Sequence, residues 1–137
     1  MFRGTEVPEE WEVFLQRSLL ARFATLDRRG FPHVTPVWFV FEGGCFFVTT
    51  TRTASKYRHV MRDSRVGLVV DDGVMPYRAV VVRGRADVVD GGVGEVTRRI
   101  AARYWPGWGV EALTQQLMDE PRVLLKVTPQ RVVAWTE

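Results

Sequence analysis

The chain has 137 residues, 46% of them apolar, which suits one compact domain spanning 1–137 with a core that needs no covalent staple. Its one cysteine, Cys45, excludes an intrachain disulfide, no apolar run approaches the roughly 20 residues of a membrane span, and the N-terminus lacks the basic-then-apolar layout of a signal peptide, so a soluble, cytoplasmic protein with no membrane partner is expected. The formal charge of +3 and pI near 9.5 rest on arginine, because Lys56 and Lys126 are the only lysines; this fits an acidic small molecule, a nucleic acid or a solvated surface, and charge alone decides nothing.

Pro8 followed by Glu9 and Glu10 suits a helix start, and Trp11, Phe14, Leu15 and Leu19 continue at helical spacing, giving a helical segment within residues 1–20. Residues 22–27 alternate, "DRRGF" turns, and 33–42 ("HVTPVWFVFE") are β-branched and aromatic, which reads as a hairpin. Gly43 and Gly44 make a tight connection to a strand over 45–51, so three antiparallel strands are expected in a meander. A short helix from Ser55 places Tyr57, Val60 and Met61 on one face, and 65–71 is the fourth strand.

Asp71 and Asp72 open a turn, then 77–89 form a long strand in which Gly84 marks a bulge or a close approach. Val93, Val96, Ile100 and Tyr104 space as a helix ended by "WPGWG", with a further helix over 111–119. Strands over 122–128 and 132–136, separated by Pro129, complete the sheet. Six or seven strands joined mostly by short turns argue for a mainly β fold: a closed or nearly closed antiparallel β-barrel with peripheral helices. A doubly wound sheet would need strand–helix alternation that residues 22–51 lack.

The most informative stretch is Thr49 to Lys56. A strand ending in Thr49, Thr50 and Thr51 is followed by Arg52, by hydroxyls at Thr53 and Ser55, and by Lys56 in the first helical turn. Helix N-termini leave amides unpaired and carry partial positive charge, so an anion such as phosphate is favoured there. The alternative is a Thr53 or Ser55 helix cap with both cations solvated. Glycine is missing from the stretch, so it is no P-loop. His33 and His59 lack metal-ligand spacing and read as surface residues, and no catalytic or metal cluster stands out. Tyr77, Arg78 and Tyr104 are candidate proton donors or substrate contacts.

Four segments in this order, "ATLDRRGFPHVTPVWF", "FFVTTTRTASKYRHVMRDSRVGLVV", "VVVRGRADVV" and "VLLKVTPQRVVAW", resemble those of the FMN-binding split β-barrel proteins related to pyridoxamine 5′-phosphate oxidase, including their deazaflavin (F420)-dependent branch. The resemblance runs from about Leu20 to Thr136. It implies an oxidoreductase that passes a hydride to or from a small organic substrate with F420, favoured over FMN, bound between two protomers of a homodimer. By position it implies that Arg52, Ser55 and Lys56 hold the cofactor phosphate, that Thr50 and Thr51 contact the phosphate or ribityl chain, that Thr35, Pro36, Val37 and Trp38 lie along the ring, and that Trp135 comes from the partner. Trp38 and Trp135 also read as packing residues. A barrel this small fills its interior with side chains, which independently favours a site on the outer wall or at an interface.

With the chemistry carried by the cofactor, no catalytic side chain is needed. Arg58, Arg62, Arg98, Arg99 and Arg103 offer a track for the carboxylate tail of F420, or are simply solvated helix faces. The alternatives are an FMN enzyme, a flavin-binding or sensor protein without turnover, and a nucleic-acid-binding barrel. Nucleic acid is not the expected partner, because Trp38, Phe39, Phe41, Phe46 and Phe47 cluster at core-like density rather than interleaving with cations.

Overall fold

A computed structural model of the chain describes residues 1–105, 107 and 109–137. The elements are β1 (Phe2–Gly4), a 3-10 turn (Glu9–Trp11) running into α1 (Glu12–Leu15), β2 (Ala21–Leu26), β3 (Pro32–Val37), β4 (Val40–Glu42), β5 (Cys45–Thr51), α2 (Ser55–Arg62), β6 (Arg65–Asp71), β7 (Arg78–Val89), α3 (Val93–Tyr104), α4 (Val110–Leu117) and β8 (Arg122–Thr136). The sheet runs β3-β2-β6-β7-β8-β5-β4, every pairing is antiparallel, and β1 pairs with the C-terminal portion of β8. This is the expected mainly β split barrel.

The meander is corrected. The expected strand over 33–42 breaks at Trp38 and Phe39 into β3 and β4, which occupy opposite ends of the sheet. Three Cα steps limit the gap from Val37 to Val40 to about 11 Å, so the sheet must curl until its two ends meet. The break follows from packing: Phe39, Val40 and Phe41 are all buried, and a regular strand could bury three successive side chains only with apolar partners on both faces. Phe39 and Phe41 pack on Phe46 inside the barrel, whereas Val40 meets Val96, Ile100 and Leu124, where α3 covers the outer wall.

Three smaller expectations also change. The N-terminal helix stops at Leu15 rather than Leu19, because the Arg103 guanidinium from α3 takes the carbonyls of Leu15 and Arg17. Met61 lies 62% exposed, while Val60 buries against the core. The chain does not break into separate strands at Pro129. β8 runs through it with Gln130 as the extra residue of a bulge, since Arg83 pairs with Arg131 and Gly84 with Pro129. Gly84 is obligatory there: a Cβ would collide with the Thr128 carbonyl. Of "WPGWG", Pro106 and Trp108 lie outside the described residues; α3 ends at Tyr104, and Trp105 N–H donates to Ala101 O at 2.8 Å. Among the described residues no helix is long and apolar enough to cross a membrane.

Candidate functional site

Where the curled sheet leaves β3 and meets α2, a groove of about 350 Å³ opens. Pro36, Val37 and Trp38 form one wall, Thr49 and Thr50 of β5 form the floor with Lys56 and Arg122, and Leu20, Ile100 and Leu117 close the apolar side. Trp38 is held by a parallel stack on Tyr104, with ring centroids 5.0 Å apart and planes 5° apart. The Tyr104 hydroxyl is fixed in turn: it donates to Leu19 O at 2.6 Å and accepts from Phe39 N–H at 3.3 Å. Tyr104 is therefore a lock for the groove wall rather than a free proton donor, and burial pushes its phenol up.

At the start of α2 the cap residue is Ala54, which is extended and has no side chain to offer the helix amides. The alternative, a Thr53 or Ser55 cap, does not form. Thr53 Oγ1 lies 3.1 Å from Thr51 Oγ1, and Ser55 Oγ accepts from Arg58, which also donates to Thr53 O at 2.9 Å. Lys56 instead enters the groove, half-buried. Desolvation holds its ammonium below the ordinary lysine range, and the neighbouring Arg122 charge lowers it further. Arg122 is half-buried too, lowered by desolvation and partly offset by Glu120, and it spends its donors on neutral acceptors: Thr49 Oγ1, Thr49 O at 3.3 Å and Leu117 O at 3.1 Å. Two cations thus share one groove whose lining, among the described residues, holds no carboxylate.

The structure brings Pro36, Val37, Trp38, Thr50 and Lys56 to this groove. Thr35 is on the same face of β3 as Val37, and its Oγ1 is buried without a hydrogen-bond partner among the described residues. Thr51, Arg52 and Ser55 sit on the adjoining turn outside the lining, with exposed Arg52 reaching Tyr57 Oη at 3.4 Å. Trp135 lies half-buried opposite Ala79, at the far end of β8 from Arg122. Arg122, Thr49, Leu20, Ile100 and Leu117 were not anticipated, and nothing in "RVLLKVT" distinguishes Arg122 from a strand-edge charge. Tyr77 is exposed, and Arg78 is paired to Asp72.

On the other flank of α2 lies a wider, shallow basin of about 630 Å³, bounded by Arg28, Arg29, Arg58, His59 and Arg62 together with the carboxylate of Asp27. The fold brings together two histidines that are distant in sequence: the His33 and His59 rings meet edge to face at 5.2 Å. His59 Nδ1 lies 2.8 Å from Thr25 Oγ1, and burial, then His33 and Arg62, hold its imidazole below the ordinary value. The anticipated arginine track is divided. Arg58 and Arg62 reach the basin, but Arg98 pairs with Glu111, Arg99 with Glu42, and Arg103 caps backbone carbonyls.

A family model described as pyridoxamine 5′-phosphate oxidase matches residues 7–136. Among solved structures, an F420 reductase is 30% identical, with a TM-score of 0.74 over 93% of this chain and 98% of its own. A conserved hypothetical protein from Mycobacterium tuberculosis superimposes with a TM-score of 0.83 at 24% identity, covering 99% of this chain and 89% of the other. A heme storage protein from Vibrio cholerae does so at 0.70 and 20% identity, covering 96% and 94%, and these last two likenesses speak to the fold. A search of curated protein sequences found no match.

Proposed function

The chain belongs to the pyridoxamine 5′-phosphate oxidase family, and on that premise we propose that it is an oxidoreductase that binds F420 in the groove between β3 and α2, with FMN as the alternative, and acts on a small organic substrate. The observation that carries this reading is the pair of half-buried cations, Lys56 and Arg122, facing a groove without a carboxylate. Charged groups withdrawn from water need a counter-charge, and the phosphate ester of either cofactor supplies it. The 30% identical F420 reductase favours the deazaflavin.

When bound, the deazaflavin or flavin ring supplies the hydride chemistry. Lys56 and Arg122 neutralise the phosphate, and the Thr49 and Thr50 hydroxyls offer it further hydrogen bonds. Trp38, fixed by Tyr104, together with Pro36 and Val37 gives the ring an apolar wall from which water is excluded. Arg58 and Arg62 face the basin on the other flank of α2, so the carboxylate tail would meet them only by passing round the start of the helix. A second copy of the chain flanks the groove and contributes Trp135, and Arg52 and Ser55 act as outer anion contacts on the same turn. No side chain of the groove is asked to transfer a proton.

Titration of the purified chain with F420 and separately with FMN, followed by absorbance and fluorescence, tests the assignment. Saturable binding of the deazaflavin that weakens in Lys56→Ala supports it. Binding of neither compound removes the oxidoreductase reading and leaves the fold.

A further inference from the structure

Helix α2 is tied to the β2–β3 hairpin along one seam, on the flank away from the groove. Val60 is its one buried side chain, and polar contacts do the rest. Arg62 donates to Leu26 O at 2.8 Å, and His59 Nδ1 meets Thr25 Oγ1 at 2.8 Å. His33 of β3 packs edge to face on the His59 ring. None of these residues lines the groove, which α2 reaches through Lys56 in its first turn.

Thr25 is 1% exposed, and among the described residues His59 Nδ1 is the one hydrogen-bond partner of its hydroxyl. That hydroxyl has a proton to place, and the acceptor in reach is the lone pair of a neutral imidazole. Protonated His59 has no lone pair there: both ring nitrogens donate, and Thr25 Oγ1–H is left buried without an acceptor. The surroundings act in the same direction. Arg58 and Arg62 of α2 and His33 of β3 face the ring, Arg28 and Arg29 line the same basin, and Asp27 is the one carboxylate among them. Asp27 is already engaged, accepting from the amides of Arg29 and Phe31. Burial first, then His33 and Arg62, hold the His59 imidazole below the ordinary histidine value against the pull of Asp27.

We propose that His59 is a proton-operated latch on α2: neutral, it accepts the Thr25 hydroxyl and holds the helix on the hairpin; protonated, it gives up that bond, faces unanswered cations and lets α2 lift. An eight-residue helix is not stable away from the sheet, so lifting unravels it. Because α2 carries Lys56, acidification then also weakens the grip on an anion in the groove. The hold is complete above the ordinary histidine value, where the ring is neutral in both states. It declines as pH falls from there towards the lower latched value, because the lifted state takes the proton first. The latch stands on the contacts of Thr25, His33 and His59, and only its effect on the cofactor rests on the function proposed above.

Hydrogen exchange of the α2 amides, followed from about pH 8 to about pH 5 beside NMR titration of the imidazoles, reads the latch with no ligand present. His33 and His59 are the only histidines, and His33→Phe, which keeps a ring against His59, assigns them. Corrected for the intrinsic pH dependence of exchange, protection of α2 should fall about tenfold relative to β7 and β8 as His59 charges, the size set by unmaking one buried hydrogen bond. In His59→Asn, whose amide still reaches Thr25 but does not titrate, protection should stay flat. Should that variant fail to fold, the parent decides: the midpoints of α2 exchange and His59 titration must coincide. F420 affinity should fall about tenfold over the same range in the parent and hold in His59→Asn; its phosphodiester keeps its charge throughout, so the change belongs to the protein. Flat α2 protection in the parent, equal loss across β7 and β8, or the same acid loss in His59→Asn overturns the latch. So does an affinity that rises on acidification, for the imidazolium would then act as one more cation near the groove. Absence of F420 binding at every pH removes the proposed function and leaves the exchange result to decide the latch.

Discussion

Around Asp72, Arg17 and Arg78 converge on a carboxylate whose side chain is 4% exposed, whereas at the groove Lys56 and Arg122 share a half-buried space with no carboxylate lining it. The first arrangement is closed. Asp72 also accepts from the amides of Val74 and Arg78, so it ties the N-terminal segment to the β6–β7 turn, and every charge there is answered from within the chain. The second is open. Its cations are desolvated by the same wall that would shelter a ligand, and the acceptors that Arg122 reaches are neutral carbonyl and hydroxyl oxygens. Charges that serve the fold alone come matched, while a surplus retained at a partly dry site weakens the protein on its own and is useful once an anion arrives.

The sharpest way to break the contrast is Lys56→Ala. Cofactor affinity should fall by about 1.5–3 kcal/mol, roughly 10- to 150-fold, measured by fluorescence titration. The thermal midpoint should hold or rise, because an unanswered cation has been removed. A fall in both would make Lys56 a structural residue. Arg122→Met should cost less affinity, about 1 kcal/mol or fivefold, and some stability as well, since Thr49 and Leu117 lose a donor.

Asp72→Asn should do the reverse, lowering the thermal midpoint with F420 affinity unchanged. Burial raises the Asp72 carboxyl, but the amides of Arg78 and Val74 and the two guanidiniums outweigh it, leaving it below the ordinary carboxylate value. Its stabilisation is therefore complete above that ordinary value and is lost as pH falls through the lower folded one. Acid unfolding followed by circular dichroism should show that dependence in the parent and a weaker one in Asp72→Asn. The smallest effect is on the alkaline side: because Lys56 loses its proton earlier than an ordinary lysine, phosphate-dependent affinity should start to decline at a lower pH than free lysine would dictate. An affinity flat to the ordinary lysine range would place the anion elsewhere.

Much of this was legible in the sequence because it rests on local spacing. Alternation in 22–27 and 65–71, the glycine pair at 43 and 44, and the helical spacing of Val93, Val96, Ile100 and Tyr104 each report a short-range pattern, and the strands and helices lie close to where those patterns put them. Gly84 was legible as a bulge or close approach, and is one. Lys56 was legible as a site candidate from its place in the first turn of a helix after three threonines, and the strand through Trp38 only from the resemblance to a known family.

Other features were decided by the chain's path. "HVTPVWFVFE" has the composition of one strand, yet it is divided between the two ends of the sheet, because Phe39 and Phe41 take the barrel interior while Val40 faces α3. Arg122 reaches Lys56 only because β8 pairs with β5. The arginine track dissolved for the same reason: Arg99 found Glu42 and Arg103 found the end of α1, partners far away along the chain.

By itself, the order of residues determined the element types and the antiparallel class, since each depends on neighbours a few positions apart. The tertiary structure alone decided which cations are answered and which are left over. Charge compensation is set by distances through space, and those exist only once the sheet has curled and its ends have met.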